Sequence, residues 1–136
     1  MLKRRLKEEE TLKRVRKSEA SKYDYDLQND SIFFYGEDRK YKSSVELEGI
    51  ILDFNEEDYL IGIEILDASE KFKVSKADLL NIKNFDATIT INKENIDVRM
   101  KMEYYKRNKL IDTNLNALTL NTMNLPSSTQ GIAVTC

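Results

Sequence analysis

The amino-acid sequence predicts an α+β fold: an antiparallel β-sheet of about six strands, a meander plus a hairpin, with a short packed helix and a basic N-terminal helix. Three observations predict it. Between Lys22 and Tyr104, apolar and polar residues alternate with period two in several short runs. The connections between those runs are too short for parallel crossovers. Charged, helix-forming residues without glycine or proline fill 2–20.

On this reading residues 1–21 are the basic N-terminal helix, 22–110 the α+β domain and 111–136 a polar C-terminal tail. The helix has a thin apolar stripe, since the Leu2/Leu6 and Leu12/Val15 pairs barely align. In the first strand Tyr23 and Tyr25 alternate with Asp24 and Asp26, and residues 28–30 turn the chain. Ile32 to Tyr35 is an aromatic strand, followed by a polar loop over 36–42. Val45 and Leu47 run on into Ile50, Leu52 and Phe54 as one strand, residues 55–58 turn, and Ile61, Ile63 and Ile65 make the fourth strand of the meander. Ile50, Leu52, Ile61, Ile63 and Ile65 are the expected core.

Asp67 with Glu70, and Ser75 with Asp78, resemble capping boxes, and Leu79, Leu80 and Ile82 place a short helix near 75–84. Ala87, Ile89 and Ile91 then form a hairpin with Ile96, Val98, Met100, Met102 and Tyr104. Beyond Leu110 the composition shifts to Asn, Thr, Ser and Leu, and 124–136 read as a mobile tail with some β character near its end.

A chain of 136 residues can bury about two thirds of its unfolded surface and needs no disulfide or metal staple. The single cysteine, Cys136, fits a reducing compartment, and with no apolar leader segment the expected location is cytoplasmic. No apolar run is long enough to span a membrane. The net charge of −2 conceals a division. Residues 1–22 carry nine Lys/Arg against four Glu, residues 98–109 five against one, and residues 23–97 eight against eighteen Asp/Glu. An acidic centre with basic flanks predicts charge pairing within the chain, between copies or with a partner, and a homo-oligomer is expected.

Four blocks carry a resemblance: Tyr23-Asp24-Tyr25-Asp26; Asp30 followed by Ser31 to Phe34; Gly49 to Asp53; and Gly62-Ile63-Glu64-Ile65-Leu66-Asp67-Ala68-Ser69. Together they resemble the small prokaryotic proteins grouped as domain of unknown function 2283, over residues 22–72. Glu57-Asp58 stands where that family usually has Asp-Gly before the last strand. The resemblance implies a β-meander followed by a helix and no established activity. Some members look like the companion half of toxin–antitoxin-like gene pairs, which implies a small toxin-like protein as partner. The pattern residues are Tyr23, Asp24, Asp30, Asp53, Gly62, Glu64, Asp67 and Ser69.

The sequence holds no histidine, which removes His-based acid–base catalysis, Ser-His-Asp triads and the common zinc sites. It holds no glycine-rich phosphate loop. Asp24, Asp26 and Asp30 lack the glycine of a calcium loop and read as turn formers and caps. The expectation is therefore no enzyme, no metal and no cofactor. Glu64 interrupts an apolar strand on the face of Leu60, Gly62 and Leu66, and needs a partner if buried. Gly62 marks either a bulge or a close approach, for which the following helix is the expected neighbour.

Two basic segments are candidate contacts for a partner: Lys3, Arg4, Arg5, Lys13, Arg14, Arg16 and Lys17 in the first, and Arg99, Lys101, Tyr105, Lys106 and Arg107 in the second. Cations neutralise phosphates and tyrosines stack on bases, so nucleic acid is the alternative to a protein partner. The leading reading is a non-enzymatic protein-interaction module.

Overall fold

The computed structural model describes residues 15–19, 22–36 and 40–136. Among them are ten strands: β1 (Val15–Glu19), β2 (Lys22–Asp26), β3 (Ser31–Tyr35), β4 (Tyr41–Leu47), β5 (Ile50–Asn55), β6 (Leu60–Ile65), β7 (Ile82–Ile91), β8 (Asn95–Lys106), β9 (Lys109–Leu120) and β10 (Ser128–Thr135). A one-turn helix α1 (Ala68–Phe72) and a 3-10 turn (Asp78–Leu80) lie between β6 and β7. Sheet I has the order β2-β3-β6-β5-β4 and sheet II the order β1-β10-β7-β8-β9. All neighbours are antiparallel except β1, which lies parallel to β10.

The α+β expectation is therefore overturned, because the chain is nearly all β. The basic helix over 2–20 is replaced at Val15–Glu19 by strand β1, and residues 1–14 lie outside the described residues. Helix propensity is a weak prior, and here the backbone of β10 offers an edge that pairs five residues of β1. The predicted strand over 45–54 is two strands. Glu48 and Gly49, at φ 50° and 79°, form a two-residue turn between Leu47 and Ile50. Positive φ at both positions matches the twist of a tight hairpin. Sheet I is consequently not a simple meander: β4, β5 and β6 are consecutive neighbours, but β3 lies beside β6 in a Greek key.

The short helix falls at 68–72 rather than near 75–84, where only one 3-10 turn forms. The Ser75–Asp78 capping box is present and reciprocal: the Ser75 N–H donates to Asp78 Oδ2 at 2.9 Å and the Asp78 N–H to Ser75 Oγ at 3.1 Å. Asp67 makes no side-chain cap bond. Residues 111–136, expected as a polar tail, supply most of β9 and all of β10. The side-chain amides of Asn121 and Gln130 anchor this segment. Buried Asn121 bonds the Asn92 and Leu125 carbonyls and accepts from the Leu125 N–H.

The two sheets pack face to face around one core. Phe34 of β3 stacks on Phe85 of β7 with ring centroids 3.6 Å apart. Gln130 of β10, 2% exposed, crosses between the sheets. Its Oε1 accepts the Leu60 N–H at 2.6 Å, and its Nε2 donates to the Asp58 carbonyl at 3.1 Å. Ile50, Leu52, Ile63 and Ile65 are fully buried as expected. Ile61 is only half-buried. Asp53 pairs with Gly62 but Phe54 with Leu60, so Ile61 is the extra residue of a bulge, and the phase change turns Leu60 inward in its place. No helix among the described residues is long and apolar enough to cross a membrane.

Candidate functional site

The outward face of sheet I is set by strand alternation. Ile32, Phe34, Ile63, Ile65, Ile50 and Leu52 point into the core, so their neighbours point away. The cross-strand register then draws two rows. One runs Asp24–Phe33–Glu64–Ile51–Glu46 across β2, β3, β6, β5 and β4. The next runs Lys22–Tyr35–Gly62–Asp53–Ser44. The middle is aromatic and apolar, and the surround is mostly carboxylate.

The geometry of this face depends on Gly62. A Cβ there would lie 2.9 Å from the Phe33 ring, so the close approach is by β3's aromatic side chain and not by the following helix. Phe33 stacks on Tyr35 at 4.9 Å between centroids, and the Tyr35 hydroxyl donates to Asp24 at 3.0 Å. Asp53 accepts from the Ser44 hydroxyl at 2.6 Å. Glu64 is half-buried between Phe33 and Ile51 and faces outward. Because of the bulge it does not share its face with Leu60, which is in the core.

The remaining pattern residues hold the fold under this face. Asp30, at φ 53°, lies at the base of β3 and is buried. Its carboxylate accepts from the Ser69 N–H at 3.1 Å, from the Ser69 hydroxyl at 2.6 Å and from the Tyr25 hydroxyl at 2.8 Å. Its carbonyl accepts the Ala68 N–H at 2.8 Å. The start of α1 is thus capped from 39 residues away. Burial alone would raise the Asp30 carboxyl, but the bonds from Ser69 and Tyr25 outweigh it and hold it below the ordinary range. Burial and the bond to Asp30 push the Tyr25 phenol well up. Tyr23 packs against Phe34 with centroids 5.9 Å apart, and Asp67 turns the chain into α1 at φ 50°. Asp58 takes the left-handed position, φ 63°, where the family usually places glycine.

The basic candidates do not converge to the same degree. Lys3, Arg4, Arg5, Lys13 and Arg14 lie outside the described residues, and Arg16 and Lys17 belong to strand β1. Arg99 and Lys101 are on the outward face of sheet II, interleaved with acids: Arg99 pairs with Asp97 at 3.4 Å and Lys101 with Asp112 at 3.6 Å. Lys106 reaches the buried Asp78 at 3.5 Å. Burial raises that carboxyl, but Ser75 and Lys106 together bring it below the ordinary range. Arg107 forms a tight turn with Asn108, both at positive φ. Tyr105 is exposed, whereas Tyr104 faces the core.

Phe33, Tyr35, Ile51 and Glu46 were absent from the sequence candidates. The signal was present in the alternation of Ile32–Tyr35, but the register that unites the five strands of the sheet is not local. The family match falls on the same region. Residues 22–69 match the family described as "Protein of unknown function (DUF2283)". A Methanosarcina mazei protein is 58% identical over 117 residues, covering 86% of this chain and 95% of its own.

The chain belongs to this family.

The Methanosarcina relative carries the name "Putative hypoxanthine phosphoribosyltransferase". An uncharacterised protein of Methanocaldococcus jannaschii is 40% identical over 105 residues, covering 76% of this chain and 90% of its own. No solved structure matches the chain. The family segment spans β2 to the start of α1, which is all of sheet I with the Asp30 cap beneath it.

Proposed function

We propose that this protein is a non-enzymatic protein-interaction module whose working surface is the outward face of sheet I, and that its partner is a basic protein. The observation that carries this reading is the aromatic centre, Phe33 on Tyr35 over Gly62, set among Asp24, Glu64, Glu46 and Asp53. Aromatic residues give large contact area at low entropic cost, and surrounding carboxylates select lysine and arginine. A small basic toxin-like protein, the kind of companion the family resemblance suggests, fits that chemistry.

The name of the Methanosarcina relative raises phosphoribosyl transfer as a competing activity. Such chemistry needs carboxylates to hold a cation and donors to hold phosphates. Here Asp30 and Asp78 serve as caps, Asp26 accepts from the Gln28 and Asn29 N–H groups, and Asp53 accepts from Ser44. Those bonds support the non-enzymatic reading.

The test is affinity capture from nuclease-treated native extract, comparing wild type with the E46K/E64K variant. We expect a basic protein that wild type retains and the variant loses. The same proteins on both baits, or captured material that depends on intact nucleic acid, would contradict the reading. So would turnover of hypoxanthine with an activated phosphoribosyl donor.

A further inference from the structure

We propose that two copies of this chain join through the edge of sheet II that no described strand pairs with, β9 against β9 across a two-fold axis. The inference goes beyond the acidic face of sheet I and does not depend on it. The four sheet edges differ in how they are guarded against pairing. β1 and β2 are five residues each, with sequences Val-Arg-Lys-Ser-Glu and Lys-Tyr-Asp-Tyr-Asp. β4 carries Lys42 as a bulge residue and Glu46. Short length, charge and bulges are the usual protections of an edge. β9 lacks the first and the last of these and carries little of the second. It is twelve residues long, pairs with β8 without a register break, and holds two charges, Lys109 and Asp112. Leu110, Leu118 and Leu120 stand 49%, 61% and 66% exposed along it. Among the described residues β8 is the only strand hydrogen-bonded to it; α1 and β4 approach it from the core side, where the Thr113 hydroxyl donates to the Phe72 carbonyl at 2.8 Å.

The pairing geometry follows from the hairpin. Arg107 and Asn108 close a two-residue turn, so Lys106 and Lys109 form its hydrogen-bonded pair. Odd-numbered residues of β9 therefore bond to β8, and the even-numbered ones, 110 to 120, point their N–H and C=O groups off the sheet. A two-fold axis perpendicular to the sheet keeps the core face of one copy continuous with the core face of the other. Opposed residues must then share parity.

Of the registers that satisfy this, one matches residue types across the outward face from Leu110 to Leu118. Centred on Asn114, it sets Leu110 against the partner's Leu118, Asp112 against the partner's Asn116, and Asn114 against its own copy on the outward face. On the other face it sets Ile111 against the partner's Ala117 and Thr113 against the partner's Leu115. No like charges are opposed. Moving the centre to Leu115 puts Asp112 against the partner's Leu118, a charge against an exposed apolar side chain. The contact uses the same edge on both copies, so it closes at two.

Sedimentation equilibrium of the full chain under reducing conditions tests the proposal. Wild type should be a dimer. In L110K/L118K two pairs of introduced lysines oppose each other, and the dissociation constant should rise by more than about tenfold, or about 1.4 kcal/mol. L110E/L118K makes both pairs complementary and should bring the constant back toward wild type, which a merely structural effect of substitution would not do. If the lysine pair impairs folding by circular dichroism, C136S/N114C decides instead. Its thiols meet at the axis at Cα separations suited to a disulfide, and oxidation should yield a linked dimer. A wild-type monomer, an open-ended assembly, no weakening in L110K/L118K, no recovery in L110E/L118K, or no linked dimer would each overturn the proposal.

Discussion

At Asp30 the backbone turns left-handed and sends one carboxylate toward the Tyr25 hydroxyl and the hydroxyl and N–H of Ser69, while its carbonyl takes the Ala68 N–H. The sequence marked Asp30 and Ser69 as pattern residues but could not join them, since their contact spans 39 positions. The Ser75–Asp78 box was legible because its bonds close over three. Bonds to a buried charge are worth about 1.5–3 kcal/mol. Asp30→Ala should therefore cost about 2–4 kcal/mol by urea melt, and a loss below about 1 kcal/mol would show the cap to be incidental.

The same residues predict an acid limb. Asp30 and Asp78 have carboxyls held below the ordinary range. Their stabilisation is complete above the unfolded carboxylate pKa, near 4, and is lost as pH falls through the folded values. Asp30→Asn should flatten the fall in stability below about pH 4. An unchanged slope would mean that other carboxylates carry it.

At the scale of elements, what could be read was periodicity and what could not was its interruption. The β7–β8 hairpin was legible because alternation persists from Ala87 to Tyr104. The β4–β5 hairpin was missed because Val45 to Phe54 keeps apolar residues coming, and the two-residue turn at Glu48-Gly49 hides within them. The bulge at Ile61 was missed for a similar reason, since Ile61, Ile63 and Ile65 look like one face. The two readings separate by mutation. Ile63→Ala should cost about 2–5 kcal/mol, as for a fully buried aliphatic residue, whereas half-buried Ile61→Ala should cost about 1 kcal/mol. Equal losses by denaturant melt would restore the unbroken strand. Gly49→Ala should also destabilise, because φ is positive and the new methyl meets Lys71 Nζ, which bonds the Leu66 carbonyl.

For the molecule as a whole, a composition rich in short strands was visible, but its division into two sheets was not. Sheet II recruits its strands from both ends of the chain, β1 from 15–19 and β10 from 128–135, and period-two patterns carry no record of such distant partners. Gln130 shows the consequence: a polar residue in an apparent tail is a buried bridge to Leu60 and Asp58. Gln130→Ala leaves the Leu60 N–H without that acceptor and should cost about 1–3 kcal/mol, with a change under about 0.5 kcal/mol arguing against the bridge. The outward face of sheet I is likewise a property of the assembled sheet, joining Asp24, Phe33, Glu64, Ile51 and Glu46 from five strands. Its role is the central claim, and amide chemical-shift mapping of the full chain tests it most directly. A peptide with the sequence of residues 2–17, which holds eight Lys/Arg, serves as the basic probe, and a single-stranded oligonucleotide is titrated separately near physiological salt. The peptide should shift amides along Asp24, Phe33, Glu64, Ile51 and Glu46. Peptide titration that leaves those amides unmoved, or oligonucleotide shifts gathered around Arg99, Lys101 and Tyr105, would contradict it.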